Sequence, residues 1–161
     1  MAQIVDRREG RTERAAPEVR KRPVVLATLS VRVDPSAERM AIDSALEAGV
    51  PLVLVNILPF RPYPTTFLLV GAEGMNLPHE EDLDAVRATA ARAAELGVKT
   101  ELLRVTTRRP VQALLEIVVE RDAGLLVFGP DLKLTNRLRF RSLARRLRRQ
   151  ANCLLWVAPD G

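Results

Sequence analysis

The chain has 161 residues, of which 47% are hydrophobic, 28% charged and 4% aromatic. This length suits one domain with a sizeable core, and no apolar run reaches the roughly 18–20 residues that a membrane-spanning helix needs. Cys153 is the only cysteine and His79 the only histidine, which excludes an internal disulfide, a multi-histidine metal site and most histidine-based catalysis. We therefore expect a soluble, intracellular protein that is not a hydrolase.

The net charge of +5 is concentrated in two segments. Residues 1–22 carry seven basic and four acidic groups, and residues 131–150 carry eight basic groups and one acid, which leaves −5 for the remainder. Arginine outnumbers lysine by 22 to 3, a ratio that GC-rich codon usage also produces. The basicity is therefore a local patch, and the number of arginines alone does not indicate a ligand.

The first 22 residues differ in pattern from the rest of the chain. Acidic and basic side chains alternate there with few apolar residues to bury, which predicts a disordered N-terminal tail over residues 1–22. A regular apolar pattern begins at Pro23, so we place a single domain at residues 23–161.

Within this domain, strand and helix patterns alternate. A β-branched apolar run is followed by a helix that begins with Asp34 and Pro35 and ends at Gly49. The predicted strands are, in chain order, Val24–Leu29, Leu52–Ile57, Lys99–Val105, Leu125–Phe128 and Cys153–Ala158. The predicted helices cover residues 35–48, run from Pro78 to Gly97, begin at Pro110, and cover residues 140–150. This alternation predicts an α/β fold with a doubly wound parallel sheet and helices on both faces.

Residues 58–77 interrupt the alternation with three prolines and two glycines. About twenty residues without a strand or helix pattern are typical of a functional or mobile loop.

Three segments resemble the universal stress protein family and together cover almost everything after Pro23. They are VVLATLSVRVDPSAERMAIDSALEAGVPLVLVNI, GVKTELLRVTTRRPVQALLEIVVERDAGLLVFGP and RSLARRLRRQANCLLWVAP. No single motif in them is highly specific, and the resemblance rests on their order and spacing. It implies a five-stranded sheet in the order 3-2-1-4-5, of the adenine nucleotide alpha hydrolase-like (HUP) type. It also implies a cytoplasmic homodimer with a role in the stress response.

Many members of that family bind ATP through a G-x2-G-x9-G-(S/T) motif after the fourth strand. Gly129 matches the first glycine, but Leu132 stands at the second and Arg141 near the third. Ser142 fits the hydroxyl position with a spacing one residue short, and Leu29 replaces the acid that usually ends the first strand. A branched side chain at position 132 would stand where a phosphate needs bare backbone N–H groups. We therefore expect no bound cofactor.

An alternative is that ATP binds at an atypical phosphate site. There Lys133, Arg137 and Arg141 would replace amide contacts by charge, beside Gly129 and Ser142.

The remaining reactive side chains indicate no catalytic centre. His79 precedes the acids Glu80, Glu81 and Asp82, and negative charge at a helix start is explained by the helix dipole. Cys153 lies in an apolar strand without a histidine partner, which is typical of a buried structural cysteine. We expect no metal site and no enzyme activity.

The last predicted helix combines an apolar stripe with a basic patch. Phe140, Leu143, Ala144 and Leu147 recur at helical spacing and should pack on the sheet. The basic patch consists of Arg139, Arg141, Arg145, Arg146, Arg148 and Arg149. It could bind a polyanion or an anionic membrane, or it could be a solvated face. Because no aromatic residues interleave the arginines as stacking platforms, we favour the solvated face and expect nucleic acid not to be a partner.

The two edge strands of a 3-2-1-4-5 sheet differ in charge. Lys99, Glu101 and Arg104 interrupt the third strand, as is usual for a protected edge, whereas the last strand has no charge. An unprotected row of backbone donors and acceptors predicts a homodimer through the last strand. The expected interface residues are Leu154, Leu155, Trp156 and Val157. Any further protein partner is not indicated by the sequence.

Overall fold

A computed structural model of the chain describes residues 21–60 and 80–159. In these residues five strands alternate with four helices. The strands are β1 (Val24–Thr28), β2 (Leu52–Pro59), β3 (Thr100–Thr107), β4 (Leu125–Phe128) and β5 (Leu154–Val157). The helices are α1 (Pro35–Ala48), α2 (Glu80–Glu95), α3 (Pro110–Glu120) and α4 (Arg137–Gln150). No helix among the described residues is long and apolar enough to cross a membrane.

The five strands form one parallel sheet in the order β3-β2-β1-β4-β5. β1 lies at the centre, where Leu26 is in register with Leu54 of β2 and Val127 of β4. The predicted α/β class and strand order are confirmed. Because the chain winds away from β1 in opposite directions on its two sides, the carboxyl ends of β1 and β4 flank the switch point of the sheet.

Two hydrophobic clusters hold the helices on the two faces of the sheet. In one, α3 and α4 pack on the sheet, and Phe128 stacks on Phe140 with ring centroids 5.5 Å apart. In the other, α1 and α2 pack on the opposite face around Leu26 and Leu54. The predicted buried stripe of the last helix is present, with Phe140, Leu143, Ala144 and Leu147 all buried. We call these the α3/α4 cluster and the α1/α2 cluster.

The ends of several elements differ from the predictions. The predicted start of the last helix at residue 140 is wrong, because the Asn136 side chain accepts hydrogen bonds from the N–H groups of Leu138 and Arg139 and caps a helix that begins at Arg137. β2 and β3 extend two residues beyond their predicted ends because they continue to pair with each other up to Pro59 and Thr107.

Three predictions concern residues outside the described ones: the tail over residues 1–20, the part of the long loop over residues 61–77, and His79. The last two residues assigned to the tail, Lys21 and Arg22, are described. Arg22 donates hydrogen bonds to the Asp122 carboxylate at 2.8 Å and to the Asp122 carbonyl at 3.1 Å.

Candidate functional site

Doubly wound sheets bind ligands in the crevice at the switch point, which here lies between the loops that follow β1 and β4. The β1 loop is held by hydrogen bonds to buried groups. Thr28 Oγ1 donates to the carbonyl of Val31 at 2.7 Å. Ser30 has a left-handed φ of 56°, and its N–H donates to Asn56 Oδ1 at 3.0 Å. The loop is therefore fixed against the ends of β1 and β2.

Backbone hydrogen bonds join the two loops across the crevice. The Asp34 N–H donates to the Gly129 carbonyl at 2.9 Å, and the Asp131 N–H donates to the Arg32 carbonyl at 3.0 Å. Between these bonds Val33 and Pro130 form an antiparallel bridge. The two loops therefore form a short ribbon over the switch point.

An ion pair between Asp131 and Arg32 strengthens this ribbon. Arg32 Nε donates to Asp131 Oδ2 at 2.6 Å, and the Asp131 residue is 6% exposed. Burial alone would raise the pKa of the Asp131 carboxyl, but hydrogen bonds from Arg32 and from the Lys133 N–H, with the charges of both residues, hold it below its usual value. Asp131 is therefore ionised at neutral pH, so the loop already contains an anion.

Several N–H groups of the β4 loop already have partners within the protein. The Lys133 N–H donates to Asp131 Oδ1 at 2.9 Å, and the Leu134 N–H donates to the Asp131 carbonyl at 3.1 Å. At the start of α4 the Asn136 side chain accepts from two further N–H groups, as described above. Loops that bind phosphate present unpaired N–H groups to it, and these N–H groups are satisfied internally.

Asp131→Asn is expected to lower the free energy of unfolding by about 1 kcal/mol at neutral pH. The loss is smaller than for a fully buried ion pair because Arg32 is half-exposed and solvent screens its charge. The pKa of Asp131 is lower in the folded state, so its stabilisation is complete above the unfolded pKa of about 3.9 and is lost as the pH falls below it. The difference between wild type and variant in urea unfolding should therefore shrink near pH 3. The control Asp84→Asn removes an exposed pair with Arg87, and a loss as large there would contradict the assignment.

Gly129, the residue matched to the first glycine of the ATP motif, is required by packing. A Cβ atom at this position would lie 2.0 Å from the Cβ of Ala37 in α1 and 3.3 Å from the Cβ of Ala158. The glycine therefore permits the close approach of α1 to β4. Its presence is explained without a phosphate.

Leu29 and Leu132, which replace the acid and the second glycine, belong to the core. Both are half-buried and pack against the α3/α4 cluster at the carboxyl end of the sheet. Two branched side chains therefore occupy this end of the crevice on the face that α4 covers.

On the other face, a cleft of about 520 Å³ lies beside the ribbon. It is lined by the β1 loop, α1, α2 and the β4 loop, including Arg32, Glu38, Thr89, Arg92, Asp131 and Lys133. Of the predicted cofactor residues only Lys133 lines it. Arg141 and Ser142 lie on the exposed side of α4, and Gly129 is packed under α1. The four predicted residues thus do not line one common cleft.

The charges of this cleft are largely neutralised by one another. Arg92 donates two hydrogen bonds to the Glu38 carboxylate at 2.6 and 2.7 Å, and Thr89 Oγ1 donates a third at 2.8 Å. Burial acts to raise the pKa of Glu38, but these bonds hold it below its usual value. This cluster cannot be predicted from the sequence, because Glu38 and Arg92 are 54 residues apart and no local pattern connects them.

The described part of the chain contains no group of three or more His, Cys, Asp or Glu residues that could hold a metal ion. Cys153 is half-buried beside the α3/α4 cluster, and burial raises the pKa of its thiol. A raised pKa keeps the cysteine in its thiol form at neutral pH, which is the less nucleophilic form.

The predicted interface residues coincide with β5. The Leu154 N–H donates to the Gly124 carbonyl and the Ala158 N–H to the Phe128 carbonyl, so these residues direct their backbone towards β4. By the alternation of a strand, the N–H and C=O groups of Leu155 and Val157 face the free edge. The Leu154 side chain is 74% exposed, whereas Val157 is buried. The edge therefore presents free backbone groups and an apolar side chain.

The family model of the universal stress protein family matches residues 21–159. The chain belongs to this family. Comparison with curated proteins found no match.

Solved structures of other universal stress proteins have the same fold. One from Burkholderia pseudomallei is 24% identical, covers 87% of this chain and 98% of its own, and has a TM-score of 0.61. One from Archaeoglobus fulgidus is 23% identical, covers 84% and 97%, and has a TM-score of 0.60. An Archaeoglobus fulgidus structure described as a complex with dAMP is 24% identical, covers 84% and 96%, and has a TM-score of 0.54. At these identities the likeness concerns the fold.

Proposed function

We propose that this universal stress protein domain is not an enzyme, binds no ATP-type nucleotide, and acts in the cytoplasm as a homodimer that works through protein contacts in stress adaptation. The observation that carries the proposal is the internal carboxylate of Asp131. It accepts hydrogen bonds from Arg32 and from an N–H group of the loop that follows β4. An incoming phosphate would meet a buried negative charge and N–H groups that already have partners.

The core packing of Leu29 and Leu132 supports the same conclusion. To admit a nucleotide on the face that α4 covers, both side chains would have to leave the α3/α4 cluster. Exposing two half-buried leucines costs about 1–3 kcal/mol, which any nucleotide contact would first have to offset.

A nucleotide-binding function is the second candidate. It is favoured by the related structure described as a complex with dAMP and by the position of Lys133 beside Arg32 in the charged cleft. In this candidate Arg32 would release Asp131 and turn towards a phosphate, and Lys133 would complete an atypical site in the cleft.

The free edge of β5 supports the proposed homodimer. Two copies of this strand, paired antiparallel about a two-fold axis, satisfy the outward N–H and C=O groups of Leu155 and Val157. In a register centred on Leu155, the exposed Leu154 side chain of one copy lies beside Trp156 of the other. This contact would bury the apolar side chain that a single copy leaves in water.

Thermal unfolding with and without magnesium ATP or AMP tests the first candidate against the second. A ligand at 100 times its dissociation constant adds about 2.7 kcal/mol of stability, which corresponds to a midpoint shift of roughly 5–10 °C in a domain of this size. We expect no shift at millimolar nucleotide. The Archaeoglobus fulgidus protein with dAMP provides a positive control, and a clear rise for this chain would establish the second candidate instead.

A further inference from the structure

The arginines of α4 are arranged differently from those in the rest of the domain. Of the nine described arginines outside α4, five form an ion pair with an acid, namely Arg22, Arg32, Arg87, Arg92 and Arg121, and four have none with a described residue. α4 carries seven arginines and no acid: Arg137, Arg139, Arg141, Arg145, Arg146, Arg148 and Arg149. All seven are exposed, and all except Arg148 lack an ion pair with any described residue. An arginine-rich composition explains their number but not this segregation.

The stability of α4 does not account for these charges. Arg137 and Arg139 lie in the first turn, which contains no acid. Cations near a helix N-terminus are unfavourable because the dipole is positive there. The helix is held by its buried stripe, so its packing on the sheet does not require the arginines on the opposite side.

Two exposed leucines accompany the arginines at the amino-terminal end of the helix. Leu138 is 76% exposed, and Leu134 in the preceding loop is 50% exposed. By helical spacing Leu138 is a neighbour of Arg141 and Arg145 on the side away from the buried stripe. An apolar side chain is thus placed within a dense positive field.

The proposed homodimer would bring two α4 helices together, and the combined surface described here rests on that homodimer. α4 packs on β5, the edge strand. Antiparallel pairing of β5 about an axis normal to the sheet keeps α3 and α4 of both copies on the same face. The two α4 helices would then flank the axis and form one broad basic surface.

We propose that this surface, formed by the seven arginines of α4 with Leu134 and Leu138, binds the anionic headgroups of a phospholipid bilayer. Arginines near an anionic leaflet each contribute about fivefold in affinity, and an apolar side chain beside them enters the headgroup region. Nucleic acid fits less well. Phe140, the aromatic residue of α4, is buried and cannot stack on bases, and Leu138 would face phosphates with no apolar partner.

The test is co-sedimentation of the full chain with vesicles at physiological salt. One set is phosphatidylcholine alone, and the other is equal parts of phosphatidylcholine and phosphatidylglycerol. We expect binding to the anionic vesicles only. Arg145→Glu with Arg149→Glu should reduce it at least about 25-fold, and Leu138→Ser roughly threefold.

A matched control is Arg39→Glu with Arg104→Glu, which makes the same charge change on α1 and β3, away from α4. It should reduce binding by less than about threefold, since it leaves the α4 surface intact. Equal losses in both double variants would overturn the proposal, because binding would then follow net charge. Absence of binding, or equally tight, α4-dependent binding to a DNA duplex in a parallel titration, would also overturn it.

Sedimentation of the same samples without vesicles separates this inference from the dimer. A wild-type dimer that does not bind anionic vesicles contradicts the proposed lipid binding and is consistent with the homodimer. A monomer that binds anionic vesicles through Arg145 and Arg149 contradicts the homodimer. It supports lipid binding by the α4 surface of a single chain.

Discussion

Gly129→Ala is expected to destabilise the domain by about 3 kcal/mol, the upper range for overpacking a well-filled core. The added Cβ would lie 2.0 Å from the Cβ of Ala37, so either α1 or β4 must move. Urea unfolding of the two proteins measures the difference. The control Gly124→Ala places its Cβ 3.1 Å from the Cβ of Arg22, near the start of the domain, and should cost less than about 1 kcal/mol.

A second substitution identifies the contact responsible. Ala37→Gly removes the atom that Gly129→Ala would strike, so the double variant should recover part of the loss despite the roughly 1 kcal/mol that glycine costs within a helix. If Gly129→Ala alone cost less than 1 kcal/mol, the packing explanation for this glycine would be wrong. A role of Gly129 in phosphate binding would then be favoured.

Leu154→Glu is expected to raise the dissociation constant of the proposed homodimer at least about 100-fold, corresponding to roughly 3 kcal/mol. A carboxylate on this edge would face the Trp156 of the other copy, and charges on edge strands are a common protection against pairing. The stability of the single domain should hardly change, because the Leu154 side chain is 74% exposed. Sedimentation equilibrium over a dilution series measures the constant.

The control for this variant is Leu138→Glu, which places the same charge on an equally exposed leucine of α4. It should leave the dimer intact. Trp156 is the only tryptophan, so its emission should move to the red when the dimer is diluted or carries Leu154→Glu. A wild-type chain that sediments as a monomer at micromolar concentration would contradict the β5 interface.

Much of the fold could be predicted from the sequence because its signals are local. Short β-branched runs, the Asp34–Pro35 start and the stripe that begins at Phe140 each depend on neighbours in the chain, and all are present. The strand order came from the family resemblance, not from the residues themselves. The start of α4 differs from its prediction because the apolar stripe begins at Phe140, whereas the cap is Asn136.

The side chains that occupy part of the crevice could not be predicted in the same way. Leu29 and Leu132 were correctly singled out as departures from the family motif, but the sequence does not show that both join the α3/α4 cluster. Arg32 and Asp131 are 99 residues apart, and only the approach of two loops in the folded chain brings them together. Long-range ion pairs have no periodicity, so a motif search misses them.

The role of the α4 arginines could not be predicted from the sequence for the same reason, since ion pairs depend on the folded structure. The sequence shows a cluster of arginines and allows a solvated face as its explanation. The structure adds that five of the nine described arginines outside α4 have acid partners, while the arginines of α4 have no acid on their helix and share their surface with exposed leucines. Pairing is a property of the fold, and it changes the interpretation of the patch.

Equilibrium dialysis with radiolabelled ATP and AMP measures whether Asp131, Leu29 and Leu132 exclude a nucleotide from the crevice. The purified protein is first denatured and its supernatant chromatographed for adenine nucleotide carried through purification. We expect no carried nucleotide and no uptake at millimolar concentration. One adenine nucleotide per chain, either carried through purification or bound with saturation, would show that the crevice binds nucleotide. Asp131 would then have to release Arg32.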